Sequence, residues 1–133
     1  MHYCGAPKAY HEFEEIGNIR TVFWVVAKEG GYGPLLGDEG SQDFFSQPDK
    51  MWWDGQASSS VTGGITWVAG RKINGLNYPA PESLQVVSLR TTGDVNASNF
   101  GRSSIGDTFH GALGELIVYS QPLSDLEIKQ VER

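Results

Sequence analysis

Residues 19–28, IRTVFWVVAK, decide the fold class of this chain. β-Branched and aromatic side chains favour strands because they pack well on a pleated surface, and they dominate this stretch. Phe23 and Val25 fall on one face of the predicted strand, and Trp24 and Val26 fall on the other. Because both faces are apolar, we expect a central strand, covered on one side by an opposing sheet and on the other by a loop, a neighbour or a ligand.

Short strands separated by turn signals extend outward from this stretch in both directions. Scattered glycines, 17 in all, together with Asn, Asp and Ser, supply the turn chemistry between them. The predicted strands are 10–16, 19–28, 35–36, 61–69, 71–76, 84–92, 95–102 and 109–120, with turns at 17–18, 69–70, 74–75 and 93–94. Many short strands joined in this way predict an all-β fold, a two-sheet antiparallel β-sandwich.

The C-terminus carries the one good helix start in the sequence. Ser124 followed three residues later by Glu127 forms a capping box, and Leu123 and Ile128 occupy the two positions of a hydrophobic staple. We therefore expect a short C-terminal helix packed on the body of the domain. The sequence stops at Arg133, within one turn of Val131, which predicts a module or fragment of a larger protein.

Alternation within residues 109–120 places Leu113, Glu115, Ile117 and Tyr119 on one face of the last strand. Since the other three residues are apolar, we expect Glu115 to be partly buried and hydrogen-bonded to the backbone, in a structural role.

Size and charge narrow the functional classes. The 133 residues form one domain, 1–133, and are long enough to bury a core without disulfides, which the single Cys4 cannot provide. A net charge of −6 disfavours nucleic acid and anionic membranes as partners, because binding them relies on clustered Lys and Arg. No apolar run reaches the length of a membrane span, and no signal peptide is recognisable at the N-terminus.

The closing block resembles the signature of laminin G-like jelly-roll domains of the concanavalin A-like lectin/glucanase superfamily. The matching residues are Phe109, Gly111, Leu113, Glu115, Ile117, Val118, Tyr119, Leu123, Ser124 and Glu127. Residues 19–38, 65–76 and 83–92 are similar to the family's early central strand with its following hairpin, its Trp-x-x-Asn-Gly hairpin and the next strand. The resemblance covers residues 16–133 and departs from the family in the reduced first strand, in the helix and at Gly114, where relatives that hold calcium often have Asp.

The resemblance implies a binding module rather than an enzyme, extracellular or at the cell surface, beside neighbouring domains of a larger chain. Its ligand would be a glycan or a protein. A structural or protein-interaction domain without a small-ligand site is the alternative.

Trp52, Trp53 and Asp54, with Gln56 nearby and Tyr32 as a rim contact, are the predicted ligand-binding residues. Indole rings stack on the apolar C–H faces of sugars, while Asp and Gln bind hydroxyl groups. The competing interpretation is that both tryptophans cover the end of the core, since large aromatic side chains are mostly buried. Core packing is also the favoured interpretation for the two strand tryptophans, 24 and 67.

A structural calcium ion would take oxygen ligands from Asp38 and Asp107, with Asp43 and loop carbonyls as further candidates, although no contiguous ligand loop is present. For a sandwich-fold glycoside hydrolase, the least favoured function, Glu12 and Glu14 form the one same-face carboxylate pair on a predicted strand. No further acidic cluster supports them, so catalysis is not expected.

Overall fold

The computed structural model describes residues 2–4, 11–28, 33–36, 44–46, 50–52, 57–100 and 110–132. Its elements are β1 (His2–Cys4), β2 (His11–Lys28), β3 (Gly33–Pro34), β4 (Phe45–Ser46), α1 (Ser59–Thr62), β5 (Ile65–Val68), β6 (Arg71–Ile73), β7 (Gln85–Phe100), β8 (His110–Tyr119) and α2 (Asp125–Val131). Neither of these two helices is long enough to span a membrane.

One antiparallel sheet dominates the structure. Its strand order is β1-β8-β2-β7-β5-β6, and β3 and β4 form a separate two-stranded pair. The stretch 19–28 lies in β2, between β7 and β8, so its predicted central place is confirmed. A mostly β, antiparallel fold with a short terminal helix is thus observed, whereas the described residues show no second sheet large enough to make a sandwich.

Both long strands continue through predicted turns. The turn signals at 17–18 and 93–94 do not end β2 or β7, because the two strands stay paired through register shifts between Glu12 and Ile16, between Ile16 and Ile19, and between Ile19 and Thr21. A bulge accommodates extra residues in one strand while the ladder resumes beyond it. The prediction of separate strands on either side of each turn signal was therefore wrong.

One face of the sheet, which we call the loop face, carries the larger core. Val22, Trp24 and Val26 of β2 point into it, and residues from the connection between β2 and β5 cover it. Its buried members are Ile19, Val22, Trp24, Val26, Leu35, Leu36, Phe44, Met51, Trp52, Val61, Val68, Ala80, Val87, Leu89, Val95 and Ala97.

The opposite face, the helix face, is covered by α2. Phe23 and Trp67 pack there against Leu123 and Ile128. The capping box is present, with the Ser124 hydroxyl accepting from the Glu127 amide and the Glu127 carboxylate accepting from the Ser124 amide. The predicted helix start and hydrophobic staple are confirmed.

Strand β8 changes face part-way along its length. A register shift separates the pair Val25–Glu115 from the pair Val26–Leu113. Leu113 therefore packs against the loop-face core, while Ile117 packs on the helix face. The predicted shared face is observed for Ile117 and Tyr119 but was wrong for Leu113, because a bulge reverses the alternation. Glu115 is exposed, so its expected burial was wrong as well.

The hairpin predicted at 69–70 is present between β5 and β6. Ala69 and Gly70 both have positive φ, 52° and 81°, as the tight two-residue turns of hairpins require. Residues 61 and 62, predicted as strand, belong instead to the helical turn α1, which tucks the Val61 side chain into the loop-face core.

Candidate functional site

The connection between β6 and β7, residues 74–84, is a surface loop that backbone and side-chain hydrogen bonds hold in place. It begins with a turn in which the Asn74 carbonyl accepts from the Asn77 amide at 3.1 Å, while the Asn74 side-chain Oδ1 accepts from the Leu76 amide at 3.0 Å. Asn favours turns because its side chain can bond its own backbone two residues on. The tight turn predicted at 74–75 is confirmed.

Backbone hydrogen bonds tie this loop to the core at three points. Gly75 accepts from the amide of Trp52 at 3.0 Å, Tyr78 accepts from the amide of Met51 at 2.8 Å, and Pro81 accepts from the amide of Lys28 at 2.7 Å. Prolines 79 and 81 restrict the backbone further. The loop is therefore an anchored segment whose side chains are presented in a defined geometry.

A groove of about 400 Å³ lies along the second half of this loop. We call it the Tyr78 groove, and its lining is Val68, Tyr78, Pro79, Ala80, Pro81, Glu82 and Gln85. The Tyr78 side chain is 44% exposed, whereas Val68 and Ala80 are buried and form apolar floor. An exposed aromatic ring beside a carboxylate and an amide combines an apolar stacking surface with hydrogen-bonding groups.

A second, smaller hollow of about 190 Å³ lies at the first half of the loop. Trp52, Thr66, Lys72, Asn74 and Gly75 contribute to its walls. Ligand pockets are typically about 300–1,000 Å³ in volume, so the Tyr78 groove is the better candidate for a binding site.

Trp52 does not offer the exposed ring that the sequence analysis expected. It is 1% exposed, and its indole N–H donates to the Thr66 hydroxyl at 3.0 Å. Its ring lies 5.8 Å from that of Trp24 and 6.2 Å from that of Phe44. The competing interpretation, core packing, is correct for this residue, and burial of its large aromatic ring removes much apolar surface from water.

Most other predicted site residues lie outside the described part of the chain. These are Tyr32, Asp38, Asp43, Trp53, Asp54, Gln56 and Asp107. Glu12 lies in β2 opposite Asn99, but the side chains of the predicted carboxylate pair, Glu12 and Glu14, are not described. Within the described residues, no group of three His, Cys, Asp or Glu side chains could hold a metal ion. Calcium binding by Asp38 and Asp107 therefore stays a prediction.

The two remaining tryptophans are buried as expected. Trp24 is fully buried on the loop face, and its indole N–H donates to the Leu35 carbonyl at 3.0 Å. Trp67 is 5% exposed on the helix face, with the Arg90 guanidinium 5.4 Å above its ring.

Lys28 is a buried cation behind the Tyr78 groove. Its side chain is almost completely buried, and burial lowers the pKa of its ammonium group to about 8. Removing a charged amine from water favours its neutral form. Lys28 supports the groove through its backbone amide, which donates to Pro81.

Tyr78 was not among the site residues predicted from the sequence. The segment Tyr78–Pro81 has the sequence YPAP, and its two prolines predict only a loop or an edge strand. A large aromatic residue between turn-forming residues was the available signal, and it was weaker than the paired tryptophans at 52 and 53.

Comparisons of this chain with protein-family models, with curated proteins and with solved structures found no match.

Proposed function

We propose that this chain is a non-catalytic binding module for carbohydrate and that the Tyr78 groove is its binding site. The observation that carries the proposal is the half-exposed Tyr78 ring at a groove of about 400 Å³ that also presents Glu82 and Gln85. The C–H face of a sugar ring would pack on the tyrosine, and its hydroxyl groups would bond to the carboxylate and the amide.

The anchoring of the loop supports this function. Because Gly75, Tyr78 and Pro81 each accept a backbone hydrogen bond from the body of the domain, the groove is formed before a ligand arrives. Preorganisation lowers the entropic cost of binding, which matters for polar ligands of low intrinsic affinity.

Charge narrows the ligand class. Among the described residues that line the groove, Glu82 is the one charged side chain, and the chain carries a net charge of −6. Uronic and sialic acids would be repelled by this field, so the proposed ligands are neutral glycans.

A glycan array followed by calorimetric titration tests the proposal. Tyr78→Ala should weaken the Kd for a neutral oligosaccharide roughly ten-fold, about 1.4 kcal/mol, because the stacking surface is lost. Tyr78→Phe keeps the ring and should bind almost as well. Leu126→Ala is a matched control, since Leu126 is exposed on α2, which packs on the other face of the sheet. An array without any neutral-glycan binding, or Tyr78→Ala binding as tightly as the parent chain, refutes the proposal.

We also propose that the sheet is one layer of a laminin G-like, concanavalin A-like sandwich, and that the chain is a module of a secreted or cell-surface protein. The support is a central strand that is apolar on both faces and a capped terminal helix. A calcium ion held by Asp38 and Asp107 belongs to the same proposal. An experimental structure with a second antiparallel sheet across the loop face would support it, whereas helices or parallel strands there would contradict it.

The burial of Trp52 favours a second candidate, a protein-interaction or spacer domain without a small-ligand site. A buried indole is core structure and contributes no ligand contact. In that case, no glycan would bind, and Tyr78→Ala would instead weaken association with a neighbouring domain in a pull-down from the full parent protein.

A further inference from the structure

A modification-prone asparagine lies at the start of the 74–84 loop. Asn74-Gly75 is the one Asn-Gly pair in the chain; the other asparagines precede Ile19, Tyr78, Ala97 and Phe100. An asparagine side chain can be attacked by the backbone nitrogen of the next residue, and this attack is hindered by that residue's side chain. Glycine has no Cβ and offers the least hindrance.

The geometry of the turn brings the reacting groups together. The Asn74 side-chain Oδ1 accepts from the Leu76 amide at 3.0 Å, which holds the side chain back against the backbone of the turn. A hydrogen bond to this carbonyl oxygen also stabilises negative charge that develops on it during attack. Asn74 itself is exposed.

Water can reach the reacting peptide. Asn74 and Gly75 both line the hollow of about 190 Å³ at this end of the loop, although Gly75 is otherwise buried. The reaction needs a solvent base to take the amide proton and water to complete the hydrolysis, and this opening provides both.

We propose that Asn74 is a site of spontaneous deamidation and isoaspartate formation that controls the anchoring of the loop. The Gly75 nitrogen loses its proton to solvent and forms a bond to Asn74 Cγ. The bond from Cγ to Nδ2 breaks, and ammonia leaves with a proton from solvent. Water then opens the cyclic imide at one of its two carbonyl carbons, which yields aspartate or isoaspartate without any oxidation or reduction.

The structural consequence follows from how tightly Gly75 is held. A Cβ placed on Gly75 would lie 2.3 Å from Cδ1 of Trp52, so the backbone presses directly on the indole. The Gly75 carbonyl also accepts from the Trp52 amide at 3.0 Å. Isoaspartate adds a methylene to the main chain immediately before Gly75. This longer backbone cannot keep both contacts, so the loop and Trp52 should shift together.

Peptide mapping of the intact chain after incubation at mildly alkaline pH tests the chemistry. Trypsin cleaves after Lys72 and Arg90, so the peptide 73–90 contains Asn74 together with Asn77, an internal control in the same loop. Asn77 is also exposed but precedes bulky Tyr78. Deamidation at Asn74 should be several-fold faster than at Asn77, with isoaspartate detected by enzymatic methylation. Equal rates at the two sites, or no isoaspartate at Asn74, would overturn the proposal.

Tryptophan fluorescence and urea unfolding test the structural coupling. In the parent chain, the fluorescence change and the loss of stability should follow the isoaspartate content over time. Asn74→Gln, which would have to close a six-membered ring and does so much more slowly, should keep both signals constant under the same conditions. If isoaspartate accumulates in the parent chain while its fluorescence and unfolding midpoint stay unchanged, the proposed control of loop anchoring is wrong.

Discussion

The two faces of the sheet are covered in different ways. On the loop face, three aromatic rings, those of Trp24, Phe44 and Trp52, lie within 5.8–6.2 Å of one another, and both indole N–H groups have acceptors. On the helix face, the buried apolar cluster is much smaller, with Phe23 and Trp67 as its buried sheet members.

On the helix face, where the buried apolar area is small, polar contacts hold α2 against the sheet. Arg90 donates to the Leu123 carbonyl and pairs with the Asp125 carboxylate at 2.8 Å, and the Thr21 hydroxyl accepts from the Leu123 amide at 3.0 Å. Ser88 donates to the Glu132 carboxylate. Loop segments can cover one face of a sheet where large aromatic rings interlock. On the other face, directional hydrogen bonds set the position of the short helix.

The largest expected effect is on the loop face. Trp24→Ala should destabilise the protein by about 3–5 kcal/mol, because it removes a fully buried ring and leaves a cavity among its neighbours. Urea unfolding followed by circular dichroism measures this loss. Trp67→Ala, on the more sparsely covered helix face, is the matched comparison and should cost less. An equal or larger loss for Trp67→Ala would contradict the difference between the faces.

Gly75→Ala probes the contact between the 74–84 loop and the loop-face core. Its new Cβ would lie 2.3 Å from the Trp52 ring, so overpacking should cost about 1–3 kcal/mol. Gly17→Ala is the control, because its Cβ would come no closer than 3.4 Å to a neighbouring atom. Gly75→Ala should therefore have a lower thermal unfolding midpoint than Gly17→Ala. Equal midpoints would show that the loop accommodates the added methyl group without loss of stability.

Ser124→Ala tests the helix cap. Removing the hydroxyl that accepts from the Glu127 amide should cost about 1 kcal/mol. Ser120→Ala, at an exposed position just after β8, should leave the unfolding midpoint unchanged. A Ser124→Ala variant as stable as the parent chain would mean that tertiary contacts alone fix the start of α2.

Lys28 should make stability depend on alkaline pH. Its folded pKa, about 8, lies below its ordinary value of 10.5, so the unfolded chain binds more protons between these two values. Stability should therefore rise as pH increases from about 8 to 10.5. Lys28→Met should remove this rise, while Lys129→Met, an exposed lysine on α2, should retain it. Urea unfolding of the three proteins at several pH values measures the difference.

The smallest expected effect is a loss of stability at acidic pH, caused by protonation of two carboxylates of α2 on the helix face. The hydrogen bond from Arg90 lowers the pKa of Asp125, and the backbone hydrogen bond from Ser124 lowers the pKa of Glu127. A depressed carboxyl pKa contributes stability that is present above the unfolded value and is lost as pH falls through the folded value. The loss should begin as pH drops below 4.5, the ordinary value for Glu. Asp125→Asn should reduce this pH dependence in urea unfolding, and an unchanged acid profile would contradict the assignment.

Local patterns predicted part of the fold well. The alternation in 19–28 correctly separated Trp24 from Phe23, because side chains on a strand must point to opposite faces. The Ser124 and Glu127 capping box and the hairpin at 69–70 were also correct, because each depends on contacts between residues close in sequence.

Long-range pairing accounts for the failures. The bulge near Gly114, seen in the pairing of β8 with β2, sends Leu113 and Ile117 to opposite faces. The turn signals at 17–18 and 93–94 were overridden in the same way, because pairing between β2 and β7 continued on both sides of them.

The candidate site was the least predictable part. Two adjacent tryptophans gave a stronger signal than Tyr78, but Trp52 is buried and Tyr78 is half-exposed. The exposure of a loop residue depends on contacts with backbone groups far away in the sequence. In this loop, those contacts are hydrogen bonds from the amides of Lys28 and Met51.

The strand character of 19–28, the opposite faces of Phe23 and Trp24 and the start of the terminal helix follow from the sequence alone, because they depend on period-two geometry and local hydrogen bonds. Tertiary structure alone decided what covers each face, where the ladders shift register and which aromatic ring meets solvent. Those outcomes depend on contacts between segments far apart in the chain, where burial of large rings outweighs local turn preference.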